Sequence, residues 1–261
     1  MAKKPAWVIE KERARGEVER LWLFGLHAVR DALMNPAREK HRLVVTKNAA
    51  DRLKEAIGAS GMTPEIEDPR RFSVPLDAGS VHQGAALEVS PLDWGELSEI
   101  CAPRGDASLV LCLDRVTDPH NVGAILRSAE VFGARAVVAP RRHAAPETGA
   151  LAKTASGAME RQPYVRVKNL AQAMRSLGQM GYVLIGLDGT AEMDLDTALT
   201  SVAKGPVALV LGAEGPGMRQ LTSESCDLLA KIPFATDFGS LNVSNAAAVA
   251  LYSAARWSLT S

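Results

Sequence analysis

Apolar residues along this chain follow two alternating patterns. In LWLFGLHAVRDALM, Leu26, Val29, Ala32 and Leu33 recur at spacings of three and four, which predicts an amphipathic helix. HRLVVTK then reads as a short strand, AADRLKEAIGASGM as a helix closed by Gly61, and VHQGAALEVSP as the holder of a second strand. Together they predict a small α/β unit over residues 21–90. A longer alternation begins near residue 108. SLVLCLDRV, ARAVVAP, YVLIGLDG, PVALVLGAEGPGM and LLAKIPF are strand-like, while PHNVGAILRSAEVFG and NLAQAMRSLGQMG are helical. Strand–helix alternation of this kind predicts a mostly parallel sheet covered on both faces, over residues 108–261. Residues 91–107 separate the two units with four acids against one base and two prolines, the composition of a linker or short bridging helix. Residues 1–20 carry six basic and four acidic side chains and few apolar ones, and read as a flexible tail that Trp7, Val8 and Ile9 could anchor.

In parallel α/β sheets ligands bind beyond the carboxyl ends of the strands. Those ends fall at residues 114–121, 188–190, 212–217 and 233–240, and most of the chain's unusual polar residues fall there too. Arg127 lies about 140° around its helix from Val122, off the apolar stripe formed by Val122, Ile125, Leu126, Ala129 and Phe132. Solvation and a role in a site are both open to it. Gly212, Gly215 and Gly217 follow an apolar strand in the order Gly-x-x-Gly-x-Gly, the reverse of a dinucleotide fingerprint. Glu214 inside the loop would repel a pyrophosphate. The loop is therefore a tight turn or a wrap around a neutral or cationic ligand. SLNVSNAAAVALYSAARW, residues 240–257, loads Ser240, Asn242, Ser244 and Asn245 onto the entrance of an otherwise apolar helix. Its small residues suit either a helix pair within one subunit or a dimer interface.

Composition narrows the field. The chain has 261 residues, 47% of them apolar, enough for two folded units. Thirty basic residues balance thirty acidic ones, so a globally basic nucleic-acid binder is excluded, although a local patch would suffice. The three cysteines are far apart and the five histidines scattered, so neither a disulfide framework nor a metal site is expected. No apolar run is long enough for a signal peptide or membrane span, and a reducing, cytoplasmic home is the expectation. The PRRH stretch, with Arg141, Arg142 and His143, reads as a phosphate contact or a solvated loop.

The segments DPHNVGAILRSAEVFGA, LVLGAEGPGMRQLTSESCDLLAKIPF and SLNVSNAAAVALY resemble, in order, the three motifs of the SpoU/TrmH RNA 2′-O-ribose methyltransferases of the SPOUT superfamily. FGLHAVRDAL, VHQGAALEV and KTASGAMERQPYVRVKNLAQAM resemble that family's RlmB branch, which carries a ribosomal-protein-like (L30e-like) substrate domain and methylates a guanosine ribose in large-subunit ribosomal RNA. The resemblance implies a SPOUT domain with a deep trefoil knot that binds S-adenosyl-L-methionine and works as a homodimer, here expected mainly through residues 242–258 and the neighbouring motif loops. It further implies that residues 21–90 bind the RNA substrate and that no membrane is involved. Carried over position by position, it implies Asn121, Arg127, Glu214, Ser240 and Asn242 for the active site, and Gly212, Ile232 and Leu241 for the cofactor. Asn245 departs from the pattern, in which a small apolar residue is common.

Chemistry constrains these roles. A sulfonium donor loses its charge as the methyl group leaves, so the protein must align the ribose hydroxyl and remove its proton. Arginine keeps its own proton to about pH 12 or above, which favours Arg127 as a charged clamp on the hydroxyl and adjacent phosphate over a free base. Ser240 and Asn242 would hold Arg127 and the ribose, and Glu214 would fix the loop or Asn121. Three alternatives stay open: a tRNA ribose methyltransferase of the same family, a non-catalytic ribosome-assembly factor, and a nicotinamide enzyme, which the glycine loop disfavours.

Overall fold

The computed structural model describes residues 20–76, 79–104, 108–235 and 241–259. They divide into two compact units, Met1–Leu92 and Asp93–Ser261.

In the first unit, strand β1 (Leu21–Phe24) runs into helix α1 (Leu26–Met34) through Gly25, whose φ of 90° suits a residue without Cβ. The helical spacing therefore starts at Leu26, and the preceding LWLF is extended. Strand β2 (Lys40–Val45) leads to α2 (Lys47–Arg52) and α3 (Lys54–Ser60), two short helices meeting at Leu53 where one helix is expected from the sequence. Thr46 caps α2 by accepting from Ala49 N, and Gly61 closes α3 in the left-handed region. With β3 (Glu65–Ile66) and β4 (Ala85–Val89) the strands form one sheet in the order β1-β4-β2-β3.

The second unit opens with a short helix, α4 (Leu97–Ile100), inside the acidic 91–107 stretch. Trp94, Leu97 and Ile100 pack onto the core of this unit, against Cys101, Val110, Cys112 and Tyr182 among others. Next come β5 (Leu109–Asp114), α5 (Pro119–Val131), β6 (Ala136–Pro140), α6 (Gly149–Ala155), β7 (Tyr164–Val167), α7 (Leu170–Gln179), β8 (Val183–Leu187), α8 (Leu195–Ser201), β9 (Val207–Gly212), α9 (Gln220–Glu224), β10 (Leu228–Ala230) and α10 (Val243–Leu259). All pairings in the six-stranded sheet are parallel, in the order β10-β8-β9-β5-β6-β7. The inner strands β5 and β6 are buried along their whole length, as a sheet covered on both faces requires. Asp118 caps α5 by accepting from His120 N, and Pro119 occupies the first turn, where its missing N–H costs nothing. The register sets Asp114 opposite Gly212 and Leu187 opposite Leu211, so three strands end together at one edge.

Helix α10 buries Val243, Ala247, Ala250, Leu251 and Ala254, and packs mainly on α5, α8 and β9. Its small residues thus serve a helix pair inside the subunit. The outward stripe of α10 is different: Val249 and Tyr252 are 41% and 50% exposed, and Val131 at the end of α5 is 71% exposed nearby. Tyr252 meets Phe132 edge-on, with ring centroids 6.0 Å apart.

Burial holds the cysteines in their thiol form. It pushes Cys101 up to about 11 and Cys226 to about 12, and raises Cys112 further, so none offers a thiolate nucleophile at neutral pH.

Candidate active site and cofactor cleft

A cleft of about 200 Å³ opens beyond the carboxyl ends of β8, β9 and β10. Its apolar walls include Leu187, Leu211, Ile232 and Leu241, and the carboxylates Asp188 and Glu214 lie along its polar side. Three residues expected to hold the cofactor, Gly212, Ile232 and Leu241, line this one cleft. The Gly212–Gly217 loop closes on itself, with Gly217 N donating to Ala213 O at 3.0 Å. A Cβ on Gly212 would sit 2.0 Å from the carbonyl carbon of Gly217, so no other residue fits there. Gly215 and Gly217 have φ of 80° and 67° and open space around them, which leaves their backbone accessible to a ligand.

At the mouth of the cleft, residues from three distant parts of the chain share one oxygen. Oε1 of Glu214 accepts from Asn121 Nδ2 (3.2 Å), Asn242 Nδ2 (2.6 Å) and the backbone N of Val243 (3.1 Å). Asn242 Nδ2 also donates to Asn121 Oδ1 at 3.0 Å. Asn242 Oδ1 accepts from the backbone N and the Oγ of Ser244, at 2.9 and 2.5 Å, and so caps the start of α10. The polar entrance of the last helix is explained by this: one face of Asn242 satisfies the helix and the other locks the glycine loop to α5. Oε1 of Glu214 is thereby saturated, and Glu214 also lines the cleft.

Arg127 behaves differently. It is exposed on α5, does not line the cleft, and has no hydrogen-bond or ion-pair partner among the described residues. Its neighbour one turn on is the exposed Val131. Neither Asn242 nor Glu214 holds it. Ser240 lies outside the described residues.

Two features escape sequence reasoning. Asp188 closes its strand as Asp114 does, and its Oδ1 accepts from Thr190 N and Oγ1 at 2.8 and 2.7 Å, forming a turn at the cleft floor. Asp114, fully buried, takes a forked contact from Arg219, with Nη2 at 2.7 Å and Nε at 2.9 Å, and also accepts from Arg219 N at 2.9 Å. Burial opposes ionisation of Asp114, but the bonds from Arg219 and Thr222 outweigh it and hold the carboxyl below its usual range. An aspartate ending an apolar strand is the signal that could have found both.

The description "SpoU rRNA Methylase family" matches residues 108–252, and "RNA 2′-O ribose methyltransferase substrate binding" matches residues 22–94. The chain belongs to the SpoU rRNA methylase family. Among curated SpoU relatives, the 23S rRNA (guanosine-2′-O-)-methyltransferase RlmB of Vibrio vulnificus is 40% identical over 246 residues, spanning 92% of this chain and 98% of that protein. The protein of the same name from Ralstonia nicotianae is 42% identical over 241 residues, 90% and 94% of the two chains. The fold is that of solved SpoU methyltransferases. AviRb of Streptomyces viridochromogenes, solved in complex with AdoMet, superimposes with a TM-score of 0.76 at 22% identity, covering 96% of this chain and 94% of that one. An AdoMet-bound rRNA methyltransferase from Sinorhizobium meliloti gives 0.75 at 23% identity, covering 95% and 92%.

Proposed function

We propose that this SpoU protein transfers a methyl group from S-adenosyl-L-methionine to the 2′-hydroxyl of a guanosine in 23S-type large-subunit ribosomal RNA, in the cytoplasm and as a homodimer. The observation that carries the reading is the single oxygen of Glu214 that ties Asn121, Asn242 and the glycine loop together at the mouth of the cleft. It is supported by relatives that share about 40% of their residues over nearly their full length and are named for that reaction.

The residues present fit the cofactor. A cleft with aliphatic walls, an accessible glycine backbone, two carboxylates and the single cation Lys231 suits a flat base joined to a cationic centre and an amino-acid carboxylate, and suits a pyrophosphate poorly. Gly212, Ile232 and Leu241 would hold it. When bound, S-adenosylmethionine supplies an electrophilic methyl group on a sulfonium whose charge vanishes on transfer. The chain's own work is alignment. Asn121 and Asn242 are fixed by their mutual bond and by Glu214, and present a rigid rim against which a ribose can be oriented. Arg127, always charged, clamps the hydroxyl and an adjacent phosphate, so that the proton leaves as the methyl arrives.

The homodimer accounts for Arg127's position. Val249 and Tyr252 on α10 and Val131 on α5 form an exposed apolar stripe, which supports seating a second copy on α10. A second copy seated there brings Arg127, one turn from Val131, to the seam and within reach of a neighbouring cleft. The deep trefoil knot belongs to the same proposal, supported by β10 lying at the edge of the sheet while α10, the next described helix, packs on α5 and Asn242 bonds Glu214 in the glycine loop. Residues 21–90 select the RNA, in line with the substrate-binding match over 22–94. Among the described residues no helix is long and apolar enough to cross a membrane.

Calorimetric titration with S-adenosylmethionine and, separately, with NAD tests the cleft; binding of NAD alone defeats the reading. Mapping ribose methylation in cells lacking the protein tests the substrate. Loss of one methyl group in large-subunit rRNA is expected, whereas loss only in tRNA shifts the protein to the tRNA branch. Light scattering that finds a fully active monomer at micromolar concentration removes the dimer.

A further inference from the structure

The same sheet edge carries a second hollow, of about 290 Å³, beyond the ends of β5, β6 and β7. It shares no lining residue with the cofactor cleft. Arg115, Arg142, His143 and Lys168 line it, together with Arg219 and Asn169, and no carboxylate does. Arg219 is spoken for by Asp114. Arg115, Arg142, His143 and Lys168 have no hydrogen-bond or ion-pair partner among the described residues. In a chain whose net charge is zero, Arg115, Arg142 and Lys168 are a local concentration of unneutralised cations.

The hollow is also built. Arg166 donates from Nη2 to Arg141 O (2.8 Å), from Nη1 to Ala145 O (3.0 Å) and from Nε to Pro140 O (3.3 Å), which staples both ends of the loop that carries Arg142 and His143. Arg141 returns the contact, its Nε donating to Arg166 O at 3.0 Å, and Ala145 N ties the loop to Val116 O at 3.1 Å. Within this frame His143 has φ of 60° and Arg115 has φ of 63°, two of the four non-glycine residues at positive φ among those described. A solvated loop has no need to hold side chains with a Cβ in that conformation; strain of this kind collects where side chains must be aimed. The first turn of α7, opening at Asn169, adds backbone N–H groups to the same wall.

We propose that this hollow seats a backbone phosphodiester of the RNA substrate beside the nucleotide being modified, with Arg142 and Lys168 as its principal contacts and Arg115 and His143 flanking them. The inference rests on the methyltransferase reading above for the identity of the RNA. Cations held on a fixed backbone contact phosphate without reading sequence, and they set the register of the strand. Methyl donor and phosphate then occupy the two halves of one sheet edge, with the Asp114–Arg219 pair between them.

The test uses the full chain and an in vitro transcribed fragment of 23S rRNA, with affinity measured by fluorescence anisotropy across a range of salt. The variants are R142A/K168A, R142K, and R175A, an exposed cation on α7 outside the hollow. R142A/K168A is expected to raise Kd about tenfold and to lower the slope of log affinity against log salt by roughly one unit. R142K keeps most of the affinity, R175A changes neither quantity, and calorimetry finds S-adenosylmethionine binding intact in all three. An unchanged Kd and slope in R142A/K168A overturns the proposal, as does an equal loss in R175A. Inorganic phosphate distinguishes a free-anion site: phosphate binding that is lost in R142A/K168A while RNA affinity stays fixed overturns the RNA assignment. Methyl transfer to the same fragment is scored separately. RNA binding that R142A/K168A abolishes, with no methyl transfer by the unmodified chain, defeats the methyltransferase reading and supports the phosphate seat.

Discussion

The two halves of the catalytic unit's sheet edge are built from the same topology and are opposite in character. Over β8, β9 and β10 the loops are glycine-rich, the walls largely aliphatic, and two carboxylates, Asp188 and Glu214, line the space against one cation, Lys231. Over β5, β6 and β7 the loop that carries Arg142 is stapled by an arginine, and Arg115, Arg142 and Lys168 stand without partners among the described residues. A parallel sheet offers the same strand ends everywhere; side chains at those ends decide whether a cation or an anion is welcome. The comparison teaches how a neutral chain can take a positively charged cofactor and a polyanion at one edge. It separates the charges by about three strands, and inserts a neutralised pair, Asp114 and Arg219, at the boundary.

The largest break in this comparison is Gly212→Ala. Its new Cβ would lie 2.0 Å from Gly217, so the loop must open. S-adenosylmethionine affinity is expected to fall by roughly 10³-fold, about 4 kcal/mol, while RNA binding by the other half persists. Calorimetry and anisotropy on the one variant check both, and a cofactor affinity within tenfold of the parent's shows that the loop is not the cradle. Next is Arg127→Ala. Single-turnover methylation should slow by about 10²-fold with cofactor affinity nearly unchanged, since the contact is made most strongly in the transition state. Arg127→Lys should not rescue, because an ammonium lacks the two-pronged contact. Normal turnover in either variant removes Arg127 from the mechanism.

The boundary between the halves gives a stability prediction. Asp114→Asn leaves Arg219 with a neutral partner and should cost about 2 kcal/mol at pH 7, read by urea unfolding. Because the folded carboxyl titrates below the ordinary 3.8, its contribution is complete above pH 3.8 and is lost as pH falls through the folded value. Parent and variant should therefore converge in stability below that value, and a gap that persists in acid contradicts the assignment. The smallest effect is expected for Asn242→Ala, which removes the bonds to Asn121 and Glu214 and the cap on α10. About 1 kcal/mol of stability and roughly tenfold in turnover should be lost. A stability loss with no change in turnover would reduce Asn242 to a helix cap.

Much of this was legible in the chain. The 3.6-residue spacing from Leu26 and the apolar strands of residues 108–230 announce two α/β units, because burying one face requires that periodicity. Most of the strand-end clusters could be placed because a parallel sheet gathers its loops at one edge. The family motifs mark Asn121, Glu214 and Asn242, and in the structure they hydrogen-bond to one another. What pattern could not give was less regular. LWLF, residues 21–24, is strand because it pairs with β4, residues 86–89, a distant contact that no local period records. The helix expected over 49–62 breaks at Leu53. The small residues of α10 fit a dimer face as well as an internal helix pair, and only packing against α5 assigns them to the interior.

The sequence by itself determined which residues are apolar at which period, where glycine is obligatory, and which polar side chains stand at strand ends; these are local properties, written in the order of residues. Tertiary structure alone decided who meets whom. That one oxygen of Glu214 serves Asn121, Asn242 and Val243, that Arg219 reaches back 105 residues to neutralise Asp114, and that Arg127 stands apart from all of them follow from the crossing of strands and helices in space. Hydrogen bonds and ion pairs act over about 3–4 Å, and the chain's linear spacing carries no information at that range until the sheet order is fixed.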